Sequence, residues 1–193
     1  MDMDTTHLAL RMPKPPFEGS DAARDFIARL DIFLREELQP LAAEHGITSE
    51  NGAPRALLEK VWKRSRDLGF YGMTLPKALG GAGFNIVDHA LIKEFIYASG
   101  SPFAPHVLGE LTGPPRVGAL AKQATPDQME RFILPVARAE KAIFFAITEP
   151  VAGSDAGALQ TSAVRDGDSF VLNGTKRFIS GSPFCDFAVI ICS

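Results

Sequence analysis

The hydrophobic pattern of this chain changes period once, near residue 142, and that change limits the folds open to it. Before it, apolar residues recur at spacings of three and four, as in helices with one buried stripe. After it, apolar runs are short and divided by Gly, Asp and Asn, the pattern of strands and turns. At the join stands Phe144-Phe145-Ala146-Ile147-Thr148-Glu149-Pro150-Val151-Ala152-Gly153-Ser154-Asp155-Ala156-Gly157. It opens as a run suited to a buried strand. Pro150 then stops ladder pairing, and a loop of small residues follows. Gly and Ala in such a loop let a ligand approach main-chain N–H groups closely.

Residues 1–20 hold Pro13, Pro15, Pro16 and Gly19 and read as an arm. A helix is predicted from about Asp21, with Phe26, Ile27, Leu30, Phe33, Leu34, Leu38 and Leu41 on one stripe, kinked or ended at Gln39-Pro40. A second starts after Pro54, buries Leu57, Leu58, Val61, Trp62 and Leu68, and is capped by Gly69. Gly80, Gly81 and Gly83 mark a tight turn; they follow no strand and lack dinucleotide-loop spacing. A third helix is predicted over about Asn85 to Ser99, with Ile86, Leu91, Phe95 and Ala98 inward. A weaker one spans about Ala104 to Lys122, interrupted by Pro114-Pro115. Thr125-Pro126-Asp127-Gln128 is a capping box opening a further helix, which Pro135 keeps short.

The strand candidates are Ala142–Thr148, Thr161–Arg165, Ser169–Asn173, Lys176–Ser180 and Phe187–Cys192. Asp166-Gly167-Asp168 and Asn173-Gly174 read as hairpin turns. The fold class is therefore α+β: an all-α helical domain over 21–142, then an antiparallel β domain over 143–193 that is expected to be incomplete.

Charge and motif spacing exclude several functions. Residues 1–142 carry 17 Lys+Arg against 18 Asp+Glu, and residues 143–193 carry 3 against 5. No basic patch matches a phosphate backbone, so nucleic acid is not an expected partner. No run reaches the roughly 20 apolar residues of a membrane span, and no export signal is visible, so the expected location is cytoplasmic. Cys185 and Cys192 are either a disulfide or two buried thiols, the second being favoured without a secretory signal. His7, His45, His89 and His106 are scattered without metal-ligand spacing, and no metal site is expected. Ser154 is not centred in a G-x-S-x-G elbow. From the residues alone, the loop after Thr148 is either a cradle for a pyrophosphate or an ordinary turn.

The order of the motifs resembles the acyl-CoA dehydrogenase family. The resemblance rests on Phe145 to Asp155, on Asp166-Gly167-Asp168, on Leu172-Asn173-Gly174-Thr175-Lys176-Arg177-Phe178-Ile179-Ser180, on Leu75 to Gly83 and on the capping-box helix ending at Leu134-Pro135. It implies an FAD flavoprotein of fatty-acid and lipid metabolism, with a helical N-terminal domain, a middle β domain and a C-terminal helical bundle. The implied reaction removes two hydrogens from an acyl-CoA thioester, one as a proton to a carboxylate and one as hydride to flavin N5. An electron-transfer flavoprotein is the implied acceptor, and the implied assembly is a homo- or hetero-oligomer.

Carried over by position, Phe145, Ile147 and Thr148 would lie along the flavin, and Gly153 and Ser154 near its pyrophosphate. Ser154 would also border coenzyme A. Phe178, Ile179 and Ser180 stand where the family usually has Trp-Ile-Thr; Phe keeps an aromatic wall without the indole donor. The family's catalytic glutamate lies in the C-terminal bundle, so no catalytic residue is assigned here and the chain alone is expected to be inactive. The alternatives are a non-catalytic partner subunit of a heteromeric dehydrogenase, or a flavin oxidase or monooxygenase on the same scaffold.

Overall fold

The computed structural model describes residues 18–111 and 114–193; most of the expected arm at 1–20 lies outside them. Helix α1 (Asp21–Phe33) opens on Ser20, whose hydroxyl accepts from the Ala23 amide at 3.2 Å. Ser20 also donates through its amide and hydroxyl to the buried Asp88 carboxylate, at 2.8 and 2.9 Å. The predicted stripe is realised: Phe26, Leu30, Phe33, Leu34 and Leu38 are all buried. The helix does not stop at Pro40. A π turn (Leu34–Leu38) carries it into α2 (Gln39–His45), and this wide turn absorbs the hydrogen bond that a proline nitrogen cannot make. The same device recurs near Pro135, where α7 (Pro126–Gln128) passes through a π turn (Met129–Ile133) into α8 (Leu134–Ala137). The capping box at Thr125 and Gln128 forms as expected.

Between them run α3 (Arg55–Asp67), α4 (Ile86–Ala98), α5 (Ala104–Val107) and α6 (Pro114–Leu120). The predicted single stretch from 104 to 122 is thus two short helices. The face of α4 is also rotated from expectation. Asp88, Ile92 and Ile96 are buried, while Ile86 is exposed, because Asp88 must reach Ser20. The helical core is aromatic: Phe26 packs edge-on against Phe70 and Phe84 with centroids 5.0 and 5.3 Å apart, and Phe33 stacks on Phe70 at 5.6 Å. Such pairs are worth about 0.5–1.5 kcal/mol beyond their burial.

A second core of Leu75, Val117, Ile133, Val136, Ala137 and Ile143 joins α6 and α8 to the first strand. Strand β1 (Ile143–Ala146) pairs with β4 (Phe187–Ile190), and β2 (Ser162–Asp166) pairs with β3 (Ser169–Asn173). The β2–β3 hairpin is antiparallel, turned at Gly167 with φ 59°. The β1–β4 pair runs parallel, with Ile143 opposite Phe187, and its crossover is the whole segment between them. The helical half followed by a β region is the expected α+β class. The β region, however, is two separate two-stranded sheets, of which β2–β3 is antiparallel as expected and β1–β4 is parallel. Two expectations fail. Residues 176–180 form no strand, because Phe178 has φ 60°, outside any strand geometry. With no strand after it, Asn173-Gly174 is no hairpin turn. Among the described residues, no helix is long and apolar enough to cross a membrane.

Candidate functional site

Strand β1 delivers the site. After Ala146 the chain leaves the ladder, and Glu149 folds inward instead of facing solvent. Its carboxylate accepts from the amides of Gln160 and Thr161 at 2.7 and 3.0 Å, and from Lys176 Nζ at 2.7 Å. Both side chains are enclosed, 3% exposed for Glu149 and 9% for Lys176. The Lys176 ammonium, aided by the Thr161 and Gln160 donors, holds the Glu149 carboxyl down to about 2. Lys176 Nζ also donates to the Ile147 carbonyl at 3.0 Å, and the Arg177 amide donates to the Thr148 carbonyl at 2.9 Å. Beyond Glu149 a turn closes with the Glu149 amide donating to the Ala152 carbonyl at 2.9 Å, leaving Pro150 and Val151 at an exposed tip. Asp155 caps the next short turn by accepting from the Gly157 amide at 3.0 Å. The two acids of the loop are therefore satisfied within the protein.

A cleft of about 200 Å³ opens beside this knot. One wall is Phe144 and Phe145 from β1; the other is Phe178, Ile179, Ser180 and Gly181, with Leu111 reaching in from the helical domain. Phe178 combines a left-handed backbone with a ring 75% exposed and stacked by the Arg177 guanidinium at 4.0 Å. A bulky residue held at positive φ is a strained position, costing about 1–3 kcal/mol.

Of the residues singled out in the sequence, Phe145, Phe178, Ile179 and Ser180 meet in the cleft. Ile147 and Thr148 lie just past it, tied to residues 176 and 177. Gly153 and Ser154 stand apart on the exposed loop beyond the Glu149–Ala152 turn. Sequence reasoning missed Lys176, read there as a strand residue. The signal was Glu149, the one charge between residues 142 and 154, which needs a cationic partner if it is buried.

A second missed group ties the segment after the cleft wall to the helical half. Arg55 on α3 donates to the Phe184 carbonyl at 2.7 Å and to Asp186 at 2.8 Å; Lys141 and the Ala142 amide also reach Asp186, at 3.1 and 2.9 Å. Burial opposes charge on Asp186, but the Ala142 amide, Arg55 and Lys141 outweigh it and hold its carboxyl below the usual range. Cys185 and Cys192 are not joined in a disulfide, and both are half-buried instead of fully buried. Among the described residues, no cluster of His, Cys, Asp and Glu could hold a metal ion.

Residues 20–140 match the family profile for the acyl-CoA dehydrogenase N-terminal domain, and residues 144–193 match that for the acyl-CoA dehydrogenase middle domain. The chain belongs to the acyl-CoA dehydrogenase family. It is 39% identical over 140 residues to the caffeyl-CoA reductase-Etf complex subunit CarC of Acetobacterium woodii, covering 71% of this chain and 35% of that protein. It is 34% identical over 161 residues to the mitochondrial short-chain specific acyl-CoA dehydrogenase of Homo sapiens, covering 83% of this chain and 37% of that protein. A solved glutaryl-CoA dehydrogenase from Mycobacterium smegmatis, in complex with FADH2, superposes with a TM-score of 0.70 at 25% identity, over 90% of this chain and 42% of the other. The chain thus spans well under half the length of these relatives.

Proposed function

We propose that this chain supplies the helical domain and the flavin-facing start of the β domain of an FAD-dependent acyl-CoA dehydrogenase. The observation that carries the reading is the cleft, where Phe145 from β1 faces Phe178, Ile179 and Ser180 across a gap bordered by Leu111. Its residues fit a flavin edge: aromatic and apolar walls suit a planar ring, and the Ser180 hydroxyl suits a ring heteroatom. Bound there, FAD supplies the hydride acceptor for α,β-dehydrogenation of an acyl-CoA thioester. Phe145, Ile147, Thr148, Phe178, Ile179 and Ser180 bind and orient the ring. Gly153 and Ser154, on the exposed loop, take the pyrophosphate, with Ser154 also bordering coenzyme A. No catalytic base is assigned among these residues. We take residues 21–142 and 143–193 as two domains, an electron-transfer flavoprotein as acceptor, an oligomeric assembly and a cytoplasmic location as parts of the same reading. The name of the Acetobacterium relative, a reductase in an Etf complex, supports that acceptor and also favours a second reading, reduction of an enoyl-CoA thioester on the same site.

The test is to express the protein at the full length of its coding sequence and assay it with FAD. Flavin uptake followed by bleaching with an acyl-CoA supports dehydrogenation. Bleaching only by an external reductant, with reoxidation by an enoyl-CoA, supports the reductase. Replacing Thr148 and Ser154 together by Trp should abolish flavin uptake; unchanged flavin content would overturn the residue assignment.

A further inference from the structure

The buried Lys176–Glu149 pair takes no part in holding the helices together, and ion pairs removed from water are costly to keep. Replacing such a pair by apolar residues of similar size is often neutral or stabilising. Its position offers a reason for it. Lys176 binds the Ile147 carbonyl and the Glu149 carboxylate, while the next amide, Arg177, binds the Thr148 carbonyl. Three consecutive residues leaving β1 are thereby fixed to two consecutive residues of the returning segment. The same carboxylate accepts from the Thr161 amide on Oε1, beside Lys176, and from the Gln160 amide on Oε2. Gly174 lets the returning segment lie directly on Thr161: a Cβ there would overlap Thr161 Oγ1 and lie 2.7 Å from its Cα. The residue that follows this knot is Phe178, whose positive φ turns its ring out to the cleft. An unanchored backbone would relax such a residue out of the left-handed region.

We propose that Lys176 is a positioning residue: with Glu149 it sets the spacing between the two cleft walls and holds Phe178 in its strained, ring-out conformation for the flavin. This rests on the flavin reading above. Neither Glu149 nor Lys176 lines the cleft, so the pair acts through the segments it joins, Ile147 included.

The test compares the wild-type protein, at the full length of its coding sequence and loaded with FAD, with Lys176→Met and with the double variant Glu149→Gln, Lys176→Met. The readouts are the FAD dissociation constant, the visible circular dichroism of the bound flavin and the thermal midpoint. Lys176→Met leaves Glu149 buried without its cation, so both stability and flavin affinity should fall, the affinity at least tenfold. The double variant removes both charges; it should regain most of the thermal midpoint yet keep the weakened affinity and altered flavin dichroism. A double variant that recovers affinity and dichroism together with stability overturns the proposal, as does a Lys176→Met protein with wild-type flavin properties. A double variant that fails to fold shows the pair to be a stability element and also overturns it. Failure of the wild type to take up FAD overturns the flavin reading itself, an outcome distinct from all of these.

Discussion

Arg55 on α3 and Asp186, 131 residues later in the chain, meet with Nη2 2.8 Å from Oδ2, and the same guanidinium holds the Phe184 carbonyl. One side chain thus joins the helical half to the segment that leads from the cleft wall into β4. The Asp186 side chain is 15% exposed and that of Arg55 31%, so solvent screens the contact only in part.

Removing that side chain should loosen the junction. Arg55→Ala strands a half-buried carboxylate with Lys141 and one amide, and we expect a loss of about 1–3 kcal/mol in chemical denaturation. A loss under about 0.5 kcal/mol, the range of an ordinary surface change, would show that the two halves do not lean on it.

Acid should destabilise the protein in two windows. His106 is buried, takes the Trp62 indole N–H on Nδ1 at 3.3 Å, and is pushed by burial from 6.5 to about 4. Its neutral form is the folded one, so its contribution is complete above the unfolded value and is lost as pH falls from 6.5 toward 4. The loss is roughly 3 kcal/mol over that range. Glu149 acts lower: its contribution is present above its ordinary 4.5 and is lost as pH falls toward 2. His106→Gln keeps an acceptor for Trp62 and should flatten the upper window to what His89 contributes, since burial lowers that histidine too. An unchanged stability profile between pH 6.5 and 4.5 would contradict the assignment.

Strain at Phe178 should be measurable as a trade between stability and binding. Asn tolerates the left-handed region, and Phe178→Asn gives up little burial because the ring is 75% exposed. We expect a gain of about 0.5–1 kcal/mol, the relief of strain less the lost contact with Arg177. The same change should weaken FAD binding. Lower stability would show that the backbone at this position is not strained.

The turn at Gly81 leaves no room for a side chain. A Cβ there would overlap the Leu75 carbonyl oxygen, which is backbone and cannot swing aside. Gly81→Ala should cost on the order of 4 kcal/mol, in the class of severe backbone effects. Expression at wild-type level with an unchanged melting curve would show that the turn rearranges freely.

The parts of the fold that were legible in the sequence are those set by local chemistry. The stripe from Phe26 to Leu38, the capping box at Thr125 and the hairpin at Gly167 each depend on residues a few positions apart. What failed depends on partners distant in sequence. The face of α4 is chosen by the Ser20–Asp88 hydrogen bonds, 68 residues apart. Residues 176–180 carry a strand-like composition, yet Lys176 is drawn to Glu149 across 27 residues and Phe178 turns the backbone aside. Of the cleft, Phe145 and Phe178 to Ser180 were nameable from the family motifs. Leu111 was not, since it arrives from the helical domain by folding alone.

The parallel pairing of β1 with β4 also sets an order of events as the chain is made. Ala142 and Asp186, which sit at the starts of the two strands, are 44 residues apart. Domains fold from the N-terminus during synthesis, and long-range pairing is slow. The helices can therefore bury one side of β1 while the edge meant for β4 still presents unpaired amides and carbonyls. Until residues 187–190 emerge, that edge is open to any strand that meets it. The ribosome-bound chain is thus most exposed to mispairing at the strand that will later carry Phe145 into the cleft.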